Sequence, residues 1–408
     1  MFFNTLSLSE ALDISLSNVN PLQASEHIHV TQSLGRILST SVVSSENLPG
    51  FDRSSMDGYA VLAEDTYGAS DANPKELKLV GRIDMGQDAS VLPALQNGEA
   101  IGISTGGMLP PGADAIVIIE ETELEGDQLI VLKPAAPGTA VIRADEDFKQ
   151  GEQILPVGHR IRAQDIGAFL GVGITQIDVL TQLQVGVIST GDELVPPEQK
   201  VTLGQVRDIN SYTTAAQIRE LGATPISYGI VVDQRKQLAD AVSQGLAECD
   251  AVLISGGSSV GVRDATMDIL DHMGEVFVHG IRVAPGKPTI FAMCGDKPVI
   301  GLPGNPVSSM VVFEIFVAPI LLKRSGSTQL KKHAAQVRAI LSKSIPSAKG
   351  RDDFVRVKLS KQDDITYAEP IYAHSNNISS LSKADGILPI PADVEGFARD
   401  ESVVIELW

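Results

Sequence analysis

The spacing of apolar and polar residues predicts a helix at the start of the chain and a β-rich segment after it. Ser7 and Glu10 have the spacing of a capping box, and apolar side chains follow at near-helical intervals as far as Leu16. From about residue 49 to residue 141 the apolar runs are short and are broken by Gly and Pro. Two of these runs, Ala115–Ile119 and Gln128–Leu132, have the composition of strands.

The middle of the chain alternates apolar strands with polar or glycine-rich loops. A short helix around Ile166–Leu170, ended by Gly171, comes first. From Gln184 onward the alternation is typical of βα units around a parallel sheet. The four strands that bear on function are predicted at Val185–Ser189, Ile226–Val232, Ala251–Ser255 and Pro298–Leu302.

The last segment lacks long helical periodicity and predicts a small β domain with strands at Val337–Leu341, Phe354–Leu359 and Val403–Leu407. The whole pattern predicts an α/β plus β chain of several domains. We expect residues 1–48 and 142–182 to form an N-terminal domain of two segments, and residues 49–141 an inserted β-rich domain. Residues 183–326 then form the α/β domain, and residues 327–408 form the C-terminal β domain.

Composition disfavours several classes of function. The chain has 408 residues and a formal net charge of -19, which would repel nucleic acids and anionic membranes. Its two cysteines, Cys249 and Cys294, lack metal-binding spacing, so we expect a reducing cytoplasm and neither a disulfide framework nor a structural zinc site. No signal peptide is expected, because the first residues lack a basic region. The longest apolar run, Met310–Leu322, contains Glu314 and Pro319 and predicts a buried helix, not a membrane span.

Four glycine-bearing loops follow the strands of the predicted α/β domain. They are Ser189–Glu193, Ser255–Gly261, Pro285–Pro288 and Gly301–Pro306. Ligands of open parallel sheets bind where the strands end, and the N–H groups at the following helix starts favour anions. None of the loops has the Walker A or dinucleotide-binding pattern, and any one of them alone is an ordinary tight turn. Four in one domain predict a phosphate-binding edge.

Acidic residues recur at the predicted strand ends, at Glu193, Asp208, Asp233 and Asp264. A single aspartate in a loop is more often a cap or a turn residue. Mg²⁺, however, takes oxygen ligands, usually one or two carboxylates together with substrate phosphates. The set therefore predicts metal-assisted phosphate chemistry.

Two stretches match the Gly-x-Ser-x-Gly pattern of serine hydrolases, Gly102–Gly106 and Gly257–Gly261. The first lies outside the predicted α/β domain. The second needs a downstream acid and histidine, for which the nearby candidates are Asp268 with His272 or His279. Glycine is frequent in this chain, so we interpret both matches as coincidental.

The motifs together resemble the MoeA family of molybdopterin molybdenumtransferases, whose relatives include the gephyrin E domain. The resemblance runs along nearly the whole chain. The stretches that carry it are Pro49–Ala60, Leu109–Ala115, Ser189–Leu194, Ser255–Gly257 with Ser259–Gly261, and Gly301–Val307.

The resemblance implies a homodimer of elongated four-domain subunits, with a MogA-like molybdopterin-binding α/β domain and a C-terminal small β-barrel. It implies that molybdate is inserted into adenylylated molybdopterin, with Mg²⁺ present and release of AMP. It also implies two kinds of partner. A molybdopterin adenylyltransferase supplies the substrate, and molybdoenzyme apoproteins or their chaperones receive the cofactor.

The family's functional residues can be carried over motif by motif. The implied catalytic residues are Asp57, Glu193, Asp233, Asp264 and Lys287, and the implied metal ligands are Asp147, Glu193, Asp233 and Asp264. The implied substrate-binding residues are Thr105, Ser189, Thr190, Gly191, Gly256, Gly257, Ser259, Gly261, Pro303, Gly304, Asn305, Pro306, Arg351 and Ser375. In the family the site lies between the α/β domain of one subunit and the inserted domain of its neighbour. The resemblance therefore implies that the motif Ser54–Gly58 of the inserted domain contributes to the active site of the neighbouring subunit.

The chain departs from the family pattern at positions that are usually basic. Ala284 stands where the family usually has lysine, and Met267 stands at a position that is usually basic. Arg282 could compensate, although in an extended stretch its side chain would point to the opposite face. The segment Thr105–Met108 also differs, since the family commonly has Thr-Gly-Ala-Pro.

Each lost cation beside a polyanion would cost about 1 to 3 kcal/mol of binding if it had been hydrogen-bonded. Three functions therefore stay open. The chain is an active molybdate-inserting enzyme, a non-catalytic paralogue that binds molybdopterin or the cofactor, or a molybdopterin adenylyltransferase.

Overall fold

The computed structural model describes residues 5–256, 260–330 and 335–408, without the side chains of residues 260–264. The chain begins with helix α1 (Leu8–Asn18), β1 (Ser25–His29) and β2 (Val42–Val43). The predicted capping box is confirmed, because the Ser7 amide donates to the Glu10 carboxylate at 2.8 Å and the Glu10 amide donates to the Ser7 hydroxyl at 3.2 Å. Ala11 of α1 is buried in the apolar core of the α/β unit. The first helix therefore packs on that unit, although the sequence grouped it with the N-terminal domain.

The next segment is β-rich, as its short apolar runs predicted, and it forms a six-stranded sheet and a separate two-stranded pair. Its strands are β3 (Arg53–Ser54), β4 (Gly58–Val61), β5 (Lys75–Ile83), β6 (Glu99–Ile103), β7 (Ala115–Ile118), β8 (Thr122–Glu125), β9 (Gln128–Val131) and β10 (Val141–Ile142). The order of the six-stranded sheet is β7-β4-β6-β5-β9-β8, with only β5 and β6 parallel, and β3 and β10 form a separate antiparallel pair. The predictions of strands at residues 115–119 and 128–132 are confirmed.

The chain then returns to its N-terminal segment through β11 (Gln153–Leu155), α2 (Ala163–Gly171) and β12 (Gln176–Leu180). Strand β12 pairs with β1, and β11 pairs with β2. Asp165 caps α2 from the buried side, accepting from the Arg162 guanidinium at 2.9 and 3.0 Å and contacting His159 at 2.7 Å. Burial by itself would raise the pKa of Asp165, but the hydrogen bonds from Arg162 and His159 outweigh it and lower the pKa to about 2.

The α/β unit contains the elements that position the site. They are β13 (Gln184–Thr190), β14 (Leu194–Val195), β15 (Val206–Arg207), α3 (Asn210–Glu220), β16 (Thr224–Val231), α4 (Arg235–Glu248), β17 (Ala251–Gly256), α5 (Val260–Met273), β18 (Glu275–His279), β19 (Val283–Ala284), β20 (Ile290–Cys294), β21 (Lys297–Leu302), α6 (Pro306–Val312) and α7 (Ala318–Arg324). The sheet order is β16-β13-β17-β21-β20-β18. The four predicted strands are confirmed and are parallel, but β20 is antiparallel to both of its neighbours, so the sheet is mixed.

A nearly continuous apolar helix, Pro306–Arg324, crosses the α/β unit. It is long and apolar enough to span a membrane by composition, but most of it is buried inside the protein, including Phe313 and Phe316. It widens into a π-helical turn at Phe313–Val317, just before Pro319, which cannot donate a backbone hydrogen bond. The prediction of a buried helix here is confirmed.

The C-terminal segment forms a closed five-stranded barrel. Its elements are β22 (Gln336–Leu341), β23 (Ile345–Pro346), β24 (Asp352–Gln362), β25 (Ile365–Pro370), α8 (Ser379–Ser382), β26 (Gly386–Ile390), β27 (Gly396–Phe397) and β28 (Ser402–Leu407). The ring closes through the order β24-β25-β22-β28-β26 and back to β24. The short strand β19 of the α/β unit adds to β24, which joins the barrel to that unit.

Candidate functional site

The carboxyl ends of the four parallel strands bring the predicted loops to one edge of the sheet. The Thr190 hydroxyl, at the end of β13, donates a hydrogen bond to the Asp233 carboxylate, just after β16. The Asp233 amide in turn donates to the Asp192 carboxylate at 3.1 Å. Two neighbouring strand ends are thus joined through side chains. Asp192 takes part in this contact although the sequence did not single it out.

Glu193 and Gly191 pack against each other in the first loop. A Cβ atom at Gly191 would lie 2.8 Å from the nearer carboxylate oxygen of Glu193, closer than real contacts allow. The Glu193 carbonyl accepts from the Val206 amide of β15 at 2.9 Å, which holds the loop from its other side. The Glu193 side chain could move away from such a Cβ, but the φ of +155° at Gly191 is a backbone conformation that other residues rarely adopt.

Gly256 is required by the pairing of β17 with β13. It lies opposite Thr190 in register, with φ of +139°, and a Cβ atom there would be 2.0 Å from the Thr190 carbonyl oxygen. No side chain fits at that distance. The second glycine loop therefore begins where two backbones approach each other closely.

Two buried serine hydroxyls lie side by side one residue earlier on the same strands. Ser189 and Ser255 are register partners in a parallel pair, and they are 0% and 2% exposed. Within the described ranges neither hydroxyl has a hydrogen-bond partner. An unpartnered buried hydroxyl costs about 1 to 3 kcal/mol, so this pair favours a polar ligand or neighbour at the strand ends.

The loop before α6 is held from both sides. Asn210, the first residue of α3, donates to the Gly304 carbonyl at 2.8 Å. Asn305 donates to the Ser375 hydroxyl at 2.9 Å, and the Val307 amide donates to the Ser375 carbonyl at 3.1 Å. Pro306 opens α6, where a missing N–H carries no cost. The structure thus brings Ser375 of the C-terminal segment to the predicted Pro303–Pro306 loop.

The lysine-bearing turn packs against the same helix. A Cβ atom at Gly286 would lie 2.3 Å from the Val312 side chain, so the turn touches α6 through its backbone. The Lys287 carbonyl accepts from the Ile281 and Thr289 amides, each at 3.0 Å, and these bonds fix the turn that presents the lysine.

Ala284, where the family usually has lysine, lies beside an existing ion pair. It pairs in register with Asp353 of the barrel. The carboxylate of Asp353 is engaged by the Arg351 guanidinium at 2.8 and 3.3 Å, and by the Ser347 hydroxyl at 2.8 Å. Arg351 therefore reaches the vicinity of position 284, with its charge already shared with a carboxylate.

The structure corrects one expectation about the lost cations. Arg282 does not compensate, because its guanidinium donates to the Thr5 carbonyl at 2.6 Å and to Glu10 at 3.2 Å. Met267 packs against the apolar cluster that includes Leu238 of α4, so its side chain contributes to the core of the α/β unit.

Asp57 and Thr105 form a separate motif in the inserted sheet. The amide and the hydroxyl of Thr105 donate to one oxygen of Asp57, at 2.7 and 3.0 Å. These hydrogen bonds lower the pKa of Asp57, which is therefore anionic well below neutral pH. The Asp57 carbonyl accepts from the Ile119 amide at 3.1 Å, so the hydrogen bonds of this motif stay within the inserted sheet.

The predicted metal-ligand set is not assembled within the described part of the chain. No group of three acidic, histidine or cysteine residues lies close enough there to hold a metal ion. Asp147 belongs to a turn in which its amide donates to the Leu48 carbonyl at 3.0 Å. Gly257 and Ser259 lie outside the described residues. Gly261 and Asp264 belong to α5, but their side chains are not described.

The serine-hydrolase patterns gain no support from geometry. The Ser104 hydroxyl lies 3.2 Å from the Arg82 guanidinium and 3.4 Å from Asp84, where a hydrolase would place a histidine. His272 contacts the backbone carbonyl of Asp268 within α5. Ser259 lies outside the described residues. The first match is therefore interpreted as coincidental, because the Ser104 hydroxyl contacts Arg82 and Asp84 and no histidine among the described residues.

Comparison with known proteins gives three family matches in the order of the chain. Residues 6–173 match the MoeA N-terminal region (domain I and II), residues 186–323 match a domain described as "Probable molybdopterin binding domain", and residues 338–408 match the MoeA C-terminal region (domain IV).

Individual relatives match over nearly their full length. The molybdopterin molybdenumtransferase 2 of Mycobacterium tuberculosis is 34% identical over 390 residues, covering 93% of this chain and 94% of that protein. The molybdopterin molybdenumtransferase of Haemophilus influenzae is 30% identical over 404 residues, covering 98% of each. A crystal structure of the molybdopterin biosynthesis MoeA protein from Pyrococcus horikoshii superposes with a TM-score of 0.85 at 32% identity, covering 99% of this chain and 100% of that one. With this sequence coverage and this shared architecture, the chain belongs to the MoeA family.

Proposed function

We propose that this chain is a molybdopterin molybdenumtransferase, a transferase of molybdenum cofactor biosynthesis. Relatives in Mycobacterium tuberculosis and Haemophilus influenzae, 34% and 30% identical over 93% and 98% of this chain, carry that name. The observation that carries the proposal is the contact between the carboxyl ends of the parallel strands β13, β16 and β17. There Thr190 binds Asp233, and the buried hydroxyls of Ser189 and Ser255 have no partner among the described residues.

We propose further that the substrate is adenylylated molybdopterin and that AMP leaves as molybdate is inserted. Cleavage of a phosphoanhydride builds negative charge on the departing oxygens, and positioned cations and amides stabilise that charge without a protein nucleophile. Lys287 and the loop amides at the strand ends supply these groups. Thr190 fixes one oxygen of Asp233, which leaves the other oxygen to accept a hydrogen bond from an attacking water.

Mg²⁺ is the cofactor of this proposal. Asp192, Glu193 and Asp233 place hard oxygen donors at one edge, which is the donor chemistry that Mg²⁺ prefers. A preformed cage of three ligands is absent from the described residues, but Mg²⁺ needs only one or two carboxylates when phosphates and water complete its shell. These residues therefore fit the ion, which when bound supplies positive charge beside the scissile phosphates.

A second subunit completes the site in this proposal. Asp57 and Thr105 bind each other within the inserted sheet, so their partner at the active site has to come from elsewhere, as in the family's intersubunit arrangement. A cytoplasmic location, an adenylyltransferase as supplier and apoproteins or chaperones as recipients belong to the same proposal.

The proposal is tested by incubating the purified chain with adenylylated molybdopterin, molybdate and Mg²⁺ and measuring AMP. We expect AMP release that depends on molybdate, and we expect Asp264→Ala to abolish it while thermal unfolding stays cooperative. Asp268→Asn, four residues further along α5 with a side chain 62% exposed, is the matched control and should retain activity.

Each alternative function predicts another result in this assay. Consumption of ATP with bare molybdopterin would identify an adenylyltransferase. Binding of the adenylylated substrate without AMP release would identify a non-catalytic paralogue. Near-normal AMP production by Asp264→Ala would refute the role given to that residue.

A further inference from the structure

A buried arginine lies between the C-terminal barrel and the α/β unit. Arg356 belongs to β24 and is 7% exposed. Its neighbour Val357 lies in the barrel core, so Arg356 points out of the barrel, because successive side chains of a strand face opposite sides. Phe354, two residues earlier on the same face, packs into the core of the α/β unit. Arg356 is thus buried at the junction of the two units.

The guanidinium of Arg356 holds the segment that follows β25. It donates to the Ala373 carbonyl at 2.8 Å, and the Arg356 carbonyl accepts from the Ile371 amide at 2.9 Å. The segment is therefore attached to β24 by both the side chain and the backbone of one residue. Two residues beyond Ala373 comes Ser375, whose hydroxyl and carbonyl accept from Asn305 and Val307.

The charge of Arg356 is not explained by the stability of the barrel. Among the described residues its guanidinium bonds only to that carbonyl, and its Nε atom has no partner. Burial lowers the pKa of Arg356, which shows that the charged form is penalised at this place. A buried charge without a counter-ion costs stability, and an apolar residue of similar length would avoid that cost.

We propose that Arg356 is a positioning residue for the active site. It fixes Ile371–Ala373 on the barrel so that Ser375 keeps its place against the Asn305 loop at the strand edge. The inference rests on the proposed function, because it gives the Asn305 loop a part in substrate binding. The buried charge is kept for the strength and direction of its hydrogen bond to the Ala373 carbonyl.

The test compares Arg356→Met with Arg356→Lys and with Arg338→Met, a control at an exposed arginine of the same barrel. Arg356→Met should unfold at the same or a higher temperature. It should lower kcat/KM for AMP release by about tenfold, the effect of losing one charge-assisted hydrogen bond. Arg356→Lys should recover part of the activity, and Arg338→Met should behave as the unmodified protein.

Two further measurements separate positioning from a general structural effect. Hydrogen exchange should speed up in Arg356→Met at residues 371–377 and at Val307, and stay unchanged in the other barrel strands. The double variant with Ser375→Ala should lose no more activity than the worse single variant, because both changes disrupt the same contact.

The inference would be overturned if Arg356→Met kept the kcat/KM and the hydrogen exchange of the unmodified protein. It would also be overturned if the activity losses of the two single variants multiplied in the double variant. If the unmodified chain itself releases no AMP, the proposed function fails. The exchange data then decide separately whether Arg356 holds the Ser375 segment.

Discussion

Replacing Thr190 with valine tests whether the hydroxyl at the end of β13 positions the Asp233 carboxylate. Valine keeps the size and the β-branched shape of threonine, so the strand and its packing should persist. Thr190 is 1% exposed, and its hydroxyl donates directly to Asp233. The substitution therefore removes one hydrogen bond and little else.

The expected magnitude follows from the charge and the exposure of the acceptor. A hydrogen bond to a charged group contributes about 1.5 to 3 kcal/mol. Asp233 is half-buried, so water can replace part of the lost bond. We expect the lower end of this range, which corresponds to about a tenfold fall in kcat/KM. The free energy of unfolding should change by less than about 1 kcal/mol.

The assay is molybdate-dependent AMP release, measured together with urea-induced unfolding. Thr214→Val is the matched control, since Thr214 of α3 is also 1% exposed but its hydroxyl has no partner among the described residues. That variant should keep its activity, and its stability should not fall, because the hydroxyl that it removes is buried without a partner among the described residues. Wild-type kcat/KM in Thr190→Val, or an equal loss in Thr214→Val, would refute the role assigned to the Thr190 hydroxyl.

Three further predictions concern stability and binding. Gly256→Ala should lower the free energy of unfolding by about 1 to 3 kcal/mol, because its Cβ would lie 2.0 Å from the Thr190 carbonyl; an unchanged urea midpoint would contradict this. Asp165 has a pKa lowered from 3.8 to about 2, so its stabilisation of about 2 kcal/mol is present above pH 4 and is lost as the pH falls toward 2. The difference in unfolding free energy between the unmodified chain and Asp165→Asn should therefore shrink over that interval; a constant difference would disprove the linkage. Ala284→Lys should tighten binding of adenylylated molybdopterin in calorimetry by about tenfold; an unchanged affinity would contradict the idea that a cation at this position binds the substrate.

Local features of the fold could be predicted because their causes lie within a few residues. The capping box of Ser7 and Glu10 needs only a spacing of three, and it is present. Three of the four functional strands, β13, β17 and β21, are buried apolar runs, whereas β16 is half-buried. Each of the four was predicted to within two residues of its observed ends. The buried helix was recognised from its length and from the charge and proline within it.

Contacts between distant segments could not be predicted from such patterns. The packing of α1 was not predicted: Ala11 lies in the core of the α/β unit, because a helix packs wherever its apolar face finds a complementary surface. The reversed direction of β20 also escaped prediction, since a short buried run has the same composition in parallel and antiparallel pairs. Asp192, in a turn between two strands, and Asn210, at a helix start, gave no stronger signal than other polar residues in such places.

The amino-acid sequence by itself determined the chemistry of the strand-edge loops and the family resemblance, because glycines, hydroxyls and carboxylates at fixed spacings are local properties of the chain. Only the tertiary structure decided which of them meet. It joined Thr190 to Asp233 and Asn305 to Ser375, and it set Ala284 beside the ion pair of Asp353. The physical reason is that such neighbours are fixed by the packing of whole sheets and helices, whose closest approaches depend on surfaces far apart in sequence.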